Sequence, residues 1–207
     1  MGLFDRLFGG DASGDRGDRP GTEGAGTPGT DASGREGART AGPTGPWRDG
    51  DGALATPRGV ALFVDGPNVF REEFDVDFGD LRAAAAGEGE PSNGTGGELE
   101  HGSDIVTARL YLDEHATPGL IQAAEANGFR VVTTSGDVDV KLAVDVATFA
   151  AERRAATIAV ASRDTDFKPA LEAANEYGLR TLAIAPGSHG RSDALRRSAD
   201  DAVTLGE

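Results

Sequence analysis

Three short segments, far apart in the chain, set oxygen-bearing side chains where chemistry could be done. FVDGPNVF (residues 63–70) stops an aliphatic run at Asp65 and continues through Gly66 and Pro67 to Asn68. ASRDTDFKPAL (residues 161–171) ends a second apolar run with Ser162, Arg163, Asp164 and Asp166. VDVKLAVD (residues 138–145) carries Asp139, Lys141 and Asp145. Carboxylates crowded into a concave site repel one another, and each unpaired charge costs on the order of several kcal/mol. Lys141, Arg163 and Lys168 are the cations in these segments, so a hard divalent ion is the natural counter-charge. Mg²⁺ or Mn²⁺ takes oxygen ligands and keeps several waters. Such an ion polarises a phosphoryl oxygen and helps make hydroxide from bound water, which is what phosphodiester hydrolysis needs.

The elements between the segments must bring them together. From residue 60 onward short aliphatic runs alternate with helical stretches, the pattern of a parallel sheet wrapped by helices. Strands are expected at 60–64, 104–112, 129–134, 156–162 and 179–185, with an edge segment at 202–205. Helices are expected at 118–128, 137–154, 166–178 and 192–198, with Gly128 and Gly178 as stops. The expected fold is α/β: three layers, α/β/α, around a mainly parallel sheet of about five to six strands. Ligands of such sheets sit at the carboxyl ends of the strands beside the switch point. If strand four lies beside strand one, Asp65 and Asn68 meet Ser162, Asp164 and Asp166 there. In the 137–154 helix Lys141 and Asp145 are four apart and share a face, whereas Asp139, six before Asp145, does not and must act from the first turn.

Each residue also has a local reading. Asp65 can start a turn with Gly66 and Pro67, Asn68 can cap the short helix that follows, and Asp164 can be an N-cap with Asp166 as a dipole partner. Asp145 can pair with Lys141, Asp139 can be helix-start decoration, and Ser162 is common after strands. Asp65 together with the Asp164 and Asp166 pair carries most of the metal reading.

The remainder of the chain narrows the function classes. Residues 1–58, rich in Gly, Asp, Ser, Thr, Arg and Pro, cannot bury enough surface to offset ordering entropy and are expected to be a disordered tail. The domain is expected over 59–207, with a low-complexity insertion at 87–103. The absence of cysteine removes disulfides, thiolate catalysis and Cys-liganded zinc. No apolar run is long enough for a transmembrane segment; MGLFDRLFGG is too short and acidic for a signal peptide, leaving residues 1–9 as a candidate weak contact for a membrane or protein. His101, His115 and His189 form no metal-ligand spacing. No P-loop, Gly-x-Gly-x-x-Gly or Gly-x-Ser-x-Gly follows a strand, and the Asp-x-Asp of haloacid-dehalogenase-type phosphatases is broken by Pro67. The net charge of −15 with only two lysines, Lys141 and Lys168, suits a halophilic protein of a salt-rich cytoplasm, where the screening length falls to about 3 Å.

The three segments, in this order, resemble the motifs of the NYN domain family, a PIN-like branch of metal-dependent ribonucleases. FVDGPNVF is similar to its first motif, VDVKLAVD to its second, and ASRDTDFKPAL to its third, usually Ser-Gly-Asp-x-Asp-Phe-x-Pro-Leu. SDALRRSADD (residues 192–201) is similar to its closing helix. The resemblance spans about residues 60–205 and implies an endoribonuclease acting on RNA with Mg²⁺ or Mn²⁺. It implies Asp65, Asp145 and Asp164 as ion ligands, and Asn68 and Ser162 as groups orienting a water or phosphate oxygen. Asp139 and Asp166 are implied as outer ligands or their supports. Arg163 replaces the customary Gly, and Gly136–Asp137 stands where many members carry Lys-Gly. The lost Lys removes a phosphate contact for which Arg163 or Lys141 could substitute. The family also includes proteins thought to bind RNA without cutting it, which gives the alternative of a non-catalytic RNA-binding or regulatory module.

Overall fold

The structure, a computed structural model, describes residues 56–71, 74–88, 103–187 and 193–206. The tail expected over 1–58 lies outside the described residues as far as residue 55, and the insertion expected over 87–103 does so from 89 to 102. Residues 1–9, His101 and His189 also lie outside them.

The strands are β1 (Val60–Asp65), β2 (Ile105–Asp113), β3 (Arg130–Thr134), β4 (Thr157–Ala161), β5 (Arg180–Pro186) and β6 (Asp201–Leu205). They form a single sheet in the order β3-β2-β1-β4-β5-β6, every neighbouring pair parallel. The helices are α1 (Gly66–Val69), α2 (Phe78–Ala85), α3 (Pro118–Ala126), α4 (Val138–Ala151), α5 (Lys168–Glu176) and α6 (Asp193–Ser198), with a 3-10 turn at Thr165–Phe167. β4 lies against β1, the condition set above for the two acidic strand ends to meet, and chain order reverses between them.

Both faces of the sheet are covered, so β1 and β4 are buried along their whole length, as parallel strands require. The two-residue period divides their side chains. Val60, Leu62 and Val64 join the core built with α2 and α3; Ala61 and Phe63 join the core built with α4, α5 and Leu195 of α6. Phe63 anchors this second core, stacked 6.4 Å from Tyr111 and edge-on to Phe149 at 5.2 Å. Asp65 and Ser162 continue the parity of Phe63 and Val160, one register step beyond the Val64–Ala161 pair. Both therefore emerge on the α4 side at the carboxyl edge.

Glycine at position 66 is a matter of space. A Cβ there would stand 2.4 Å from Leu112 Cδ2 and 2.7 Å from the Tyr111 carbonyl oxygen, so only a residue without a side chain can begin α1 this close to β2. Gly128 and Gly178 close α3 and α5 in the left-handed region, as expected; after α4 Arg153 takes that conformation at φ 52°, its Nη1 donating to the Tyr177 carbonyl at 2.7 Å. Helix α2, which the sequence reading did not anticipate, is set by a capping box between Asp77 and Asp80 and buries Phe78, Leu81, Ala84 and Ala85.

Candidate active site

Asp65 is wholly buried at the end of β1. Its Oδ2 accepts hydrogen bonds from Ser162 Oγ and Asn68 Nδ2, each at 2.7 Å, while Oδ1 accepts a longer 3.4 Å bond from the Asn68 amide. Asp65, not Asn68, is thus the N-cap of α1. Asn68 is oriented from outside: Arg71 Nη2 donates to Asn68 Oδ1 at 2.7 Å, and Arg71 Nε donates to the Pro67 carbonyl at 3.1 Å. Ser162, also wholly buried, links the two strand ends, because its Oγ receives the Asp164 amide at 3.0 Å while donating to Asp65. Asp164 in turn caps the 3-10 turn by accepting the Asp166 amide at 2.9 Å. The local capping roles of Asp65 and Asp164 are real, and they coexist with the convergence of the two strand ends.

The electrostatics of this edge are those of a site short of positive charge. Burial, aided by the charge of Asp164, raises the Asp65 pKa above the ordinary carboxylate value, although the bonds from Ser162 and Asn68 work against the rise. Asp139 is raised to about 6, first by burial and then by Asp65, Asp164, Asp137 and Asp166. Asp139 belongs here because it lies in line with the buried stripe of α4 (Leu142, Val146, Phe149, Ala150), one turn before it. The stripe runs up to it at spacings of three and seven residues, a signal present in the sequence. Asp137 caps α4, accepting the Asp139 amide at 2.9 Å. Asp166 is exposed and acts on Asp139 through its charge.

A pH-dependent stability follows. Folded Asp139 keeps its proton to about pH 6, whereas the unfolded chain releases it near 3.8. The folded state therefore binds more protons in that window, and stability falls as pH rises through it, then levels off. In EDTA, Asp139→Asn should melt with wild type near pH 4, progressively above it as the pH rises to about 6, and at a constant margin beyond. Thermal melts of the two proteins across this range check the prediction; a difference independent of pH would refute it.

Asp145 is not brought to this cluster. Asp139 continues the buried stripe of α4, whereas Asp145 lies off it, about 120° round the axis from Asp139 and displaced by about 9 Å along it. The Asp145 carboxylate faces β2 instead. Its Oδ2 accepts from Arg109 Nη1 and Tyr111 Oη, each at 2.8 Å, and Oδ1 accepts from Lys141 Nζ at 2.5 Å. Burial acts to raise its pKa, but the bonds from Lys141 and Tyr111 and the charges of Lys141 and Arg109 outweigh it, so the carboxyl sits below its usual range. Burial pushes the Tyr111 hydroxyl upward. The local pairing of Asp145 with Lys141 is thus observed, and sequence reasoning missed its two other partners, Arg109 and Tyr111. Arg109 and Tyr111 alternate with apolar residues in ARLYL (residues 108–112), the trace of a polar cluster on one strand face. Arg163 lies 4.7 Å over the ring of Phe74.

The donor set suits a hard divalent ion: Asp65, Asp139 and Asp164 offer oxygens, and their mutual repulsion is what such an ion would relieve. Among the described residues, no three His, Asp or Glu side chains stand close enough to grip an ion as they lie. Ligation would draw the carboxylates inward.

Comparisons with known proteins agree with this architecture. The family model described as NYN domain matches residues 59–206. An uncharacterised protein of Methanocaldococcus jannaschii is 36% identical over 148 residues, which cover 72% of this chain and 55% of that protein. The chain thus spans about half the length of that relative. A crystal structure of a protein of unknown function from Vibrio parahaemolyticus superposes with a TM-score of 0.57 at 19% identity, over 73% of this chain and 95% of the other, a likeness of fold.

Proposed function

From the premise that this chain belongs to the NYN domain family, we propose that it is a divalent-metal-dependent ribonuclease that cuts RNA phosphodiesters endonucleolytically at the carboxyl edge of β1 and β4. The observation that carries the reading is the wholly buried Asp65, facing Asp139, whose pKa is driven up to about 6 by burial and by surrounding carboxylates. Asp65, Asp139 and Asp164 would hold Mg²⁺ or Mn²⁺, with Asp166 as an outer support. The ion supplies Lewis-acid polarisation of the phosphoryl group and a more acidic bound water. The chain itself does the positioning. Ser162 fixes the Asp65 carboxylate from one side, and Asn68, steadied by Arg71, fixes it from the other. The acidic chain and its scarcity of lysine favour a halophilic setting, in which a cytoplasmic RNA substrate is compatible with the charge.

The second reading, a module that holds RNA without cutting it, is favoured by the spread of the carboxylates, none of which forms a ready group of three among the described residues. A time course on mixed single-stranded RNA in high KCl, with Mn²⁺ in one arm and EDTA in the other, separates the two. Cleavage confined to the Mn²⁺ arm and lost in Asp164→Asn supports the nuclease. RNA retained intact in both arms leaves the binding module. Among the described residues no helix is long and apolar enough to cross a membrane.

A further inference from the structure

The ion-paired group on β2 and α4 lies just outside the acidic edge, and its charge is of the opposite sign. Arg109, Lys141 and Asp145 sum to one positive charge in a chain whose net charge is −15. The group is layered. Arg109 is largely buried, with its guanidinium 4.5 Å over the Phe149 ring. Asp145 is equally buried, whereas Lys141 is 44% exposed. Tyr111, beside Asp65 in the sheet register, donates to the same carboxylate.

A lysine paired with one carboxylate alone has no charge left for a ligand. Here Arg109 neutralises Asp145 from below, so Asp145 can hold the Lys141 ammonium in place without cancelling it. The Arg109 Nε is buried without an acceptor among the described residues, so the Asp145 carboxylate is the charged partner against which this guanidinium is set. Anchoring also removes part of the rotamer freedom that a free lysine would lose on binding.

We propose that Lys141, anchored by Asp145 and backed by Arg109, is a phosphate-binding subsite that grips the RNA strand beside the acidic cluster. Asp145 is then a positioning residue for that cation and not a metal ligand. The inference rests on RNA being the ligand, as in the reading above, but not on cleavage.

Its test is binding of a fluorescently labelled single-stranded RNA, read by anisotropy in EDTA across a KCl titration. Lys141→Gln should weaken binding and make the plot of log affinity against log salt shallower by about 0.7, the loss of one phosphate contact on a single strand. Arg109→Gln should flatten the slope similarly although Lys141 is still present, because Asp145 then cancels it, and Arg109→Lys should restore the slope. Asp145→Asn should keep the Mn²⁺-induced rise in melting temperature that wild type shows. A wild-type slope in Lys141→Gln overturns the subsite, and so does wild-type protein that fails to bind RNA at low salt. Should Arg109→Gln fail to fold, Lys141→Gln, an exposed position, decides the matter. Loss of the Mn²⁺ response in Asp145→Asn returns that residue to the metal ligands. RNA that is bound but never cut defeats the nuclease reading and leaves this one standing.

Discussion

Asp65→Asn is expected to reduce Mn²⁺-dependent RNA cleavage at least about a hundredfold and, in EDTA at neutral pH, to melt at a higher temperature than wild type. The two effects have one origin. A buried carboxylate whose pKa is raised by burial is a charge the folded state tolerates poorly. An amide of the same shape removes it. The asparagine carbonyl can occupy the place of Oδ2 and accept from both Ser162 and Asn68, while its Nδ2, a donor in the place of Oδ1, forgoes the long 3.4 Å bond from the Asn68 amide. On the proposed reading the Asp65 carboxylate is the ion's most enclosed ligand, so the melting shift on adding Mn²⁺ should vanish in the variant. Melts with and without Mn²⁺, beside the cleavage time course, check both halves. Undiminished cleavage, or an intact Mn²⁺ shift, would remove Asp65 from the centre of the site.

Phe63→Ala should cost about 3–5 kcal/mol of stability, a large share of the roughly 5–15 kcal/mol typical of a domain. The ring is fully buried between Tyr111 and Phe149, in a core that two neighbouring strands and α4 close from all sides, so little can collapse into the cavity. Urea unfolding should show a lower midpoint with an unchanged slope. A loss under about 1 kcal/mol would mean that the surroundings refill the space.

Much of this was readable in the sequence because the relevant signals are short-range. The alternation of aliphatic runs with helices gave the parallel sheet, and Asp65 and Ser162 at the ends of two such runs gave the place where strands one and four converge. What was not readable needed the third dimension. Spacing alone pairs Asp145 with Lys141 and sets Asp139 off that face, but it does not say which side of α4 meets the carboxylates of Asp65 and Asp164 and which looks toward β2. That choice, made by packing, put Asp139 among the carboxylates and Asp145 against Arg109 and Tyr111. Helix α2 went unseen because its run of alanines lacks a strong periodic contrast, and its start depends on an Asp77–Asp80 exchange of hydrogen bonds that is visible only in coordinates.

Ser162 and Asp65 are 97 residues apart, and the segment that joins β1 to β4 includes α2, β2, α3, β3 and α4. During synthesis the first half of the centre therefore emerges long before its complement, and a ribosome-bound fragment ending ahead of β4 carries an inert half-site. The carboxyl edge is completed only when the last third of the domain, beginning with β4, docks. Glu88 and Ser103, joined near the end of α2 by the Ser103 amide donating to the Ala86 carbonyl, lie toward the opposite, amino edge of the sheet, a strand's length of about 20 Å away. Because closing a longer connection costs only about 0.6 kcal/mol per doubling, a change in the chain length between Glu88 and Ser103 should leave the carboxyl edge undisturbed.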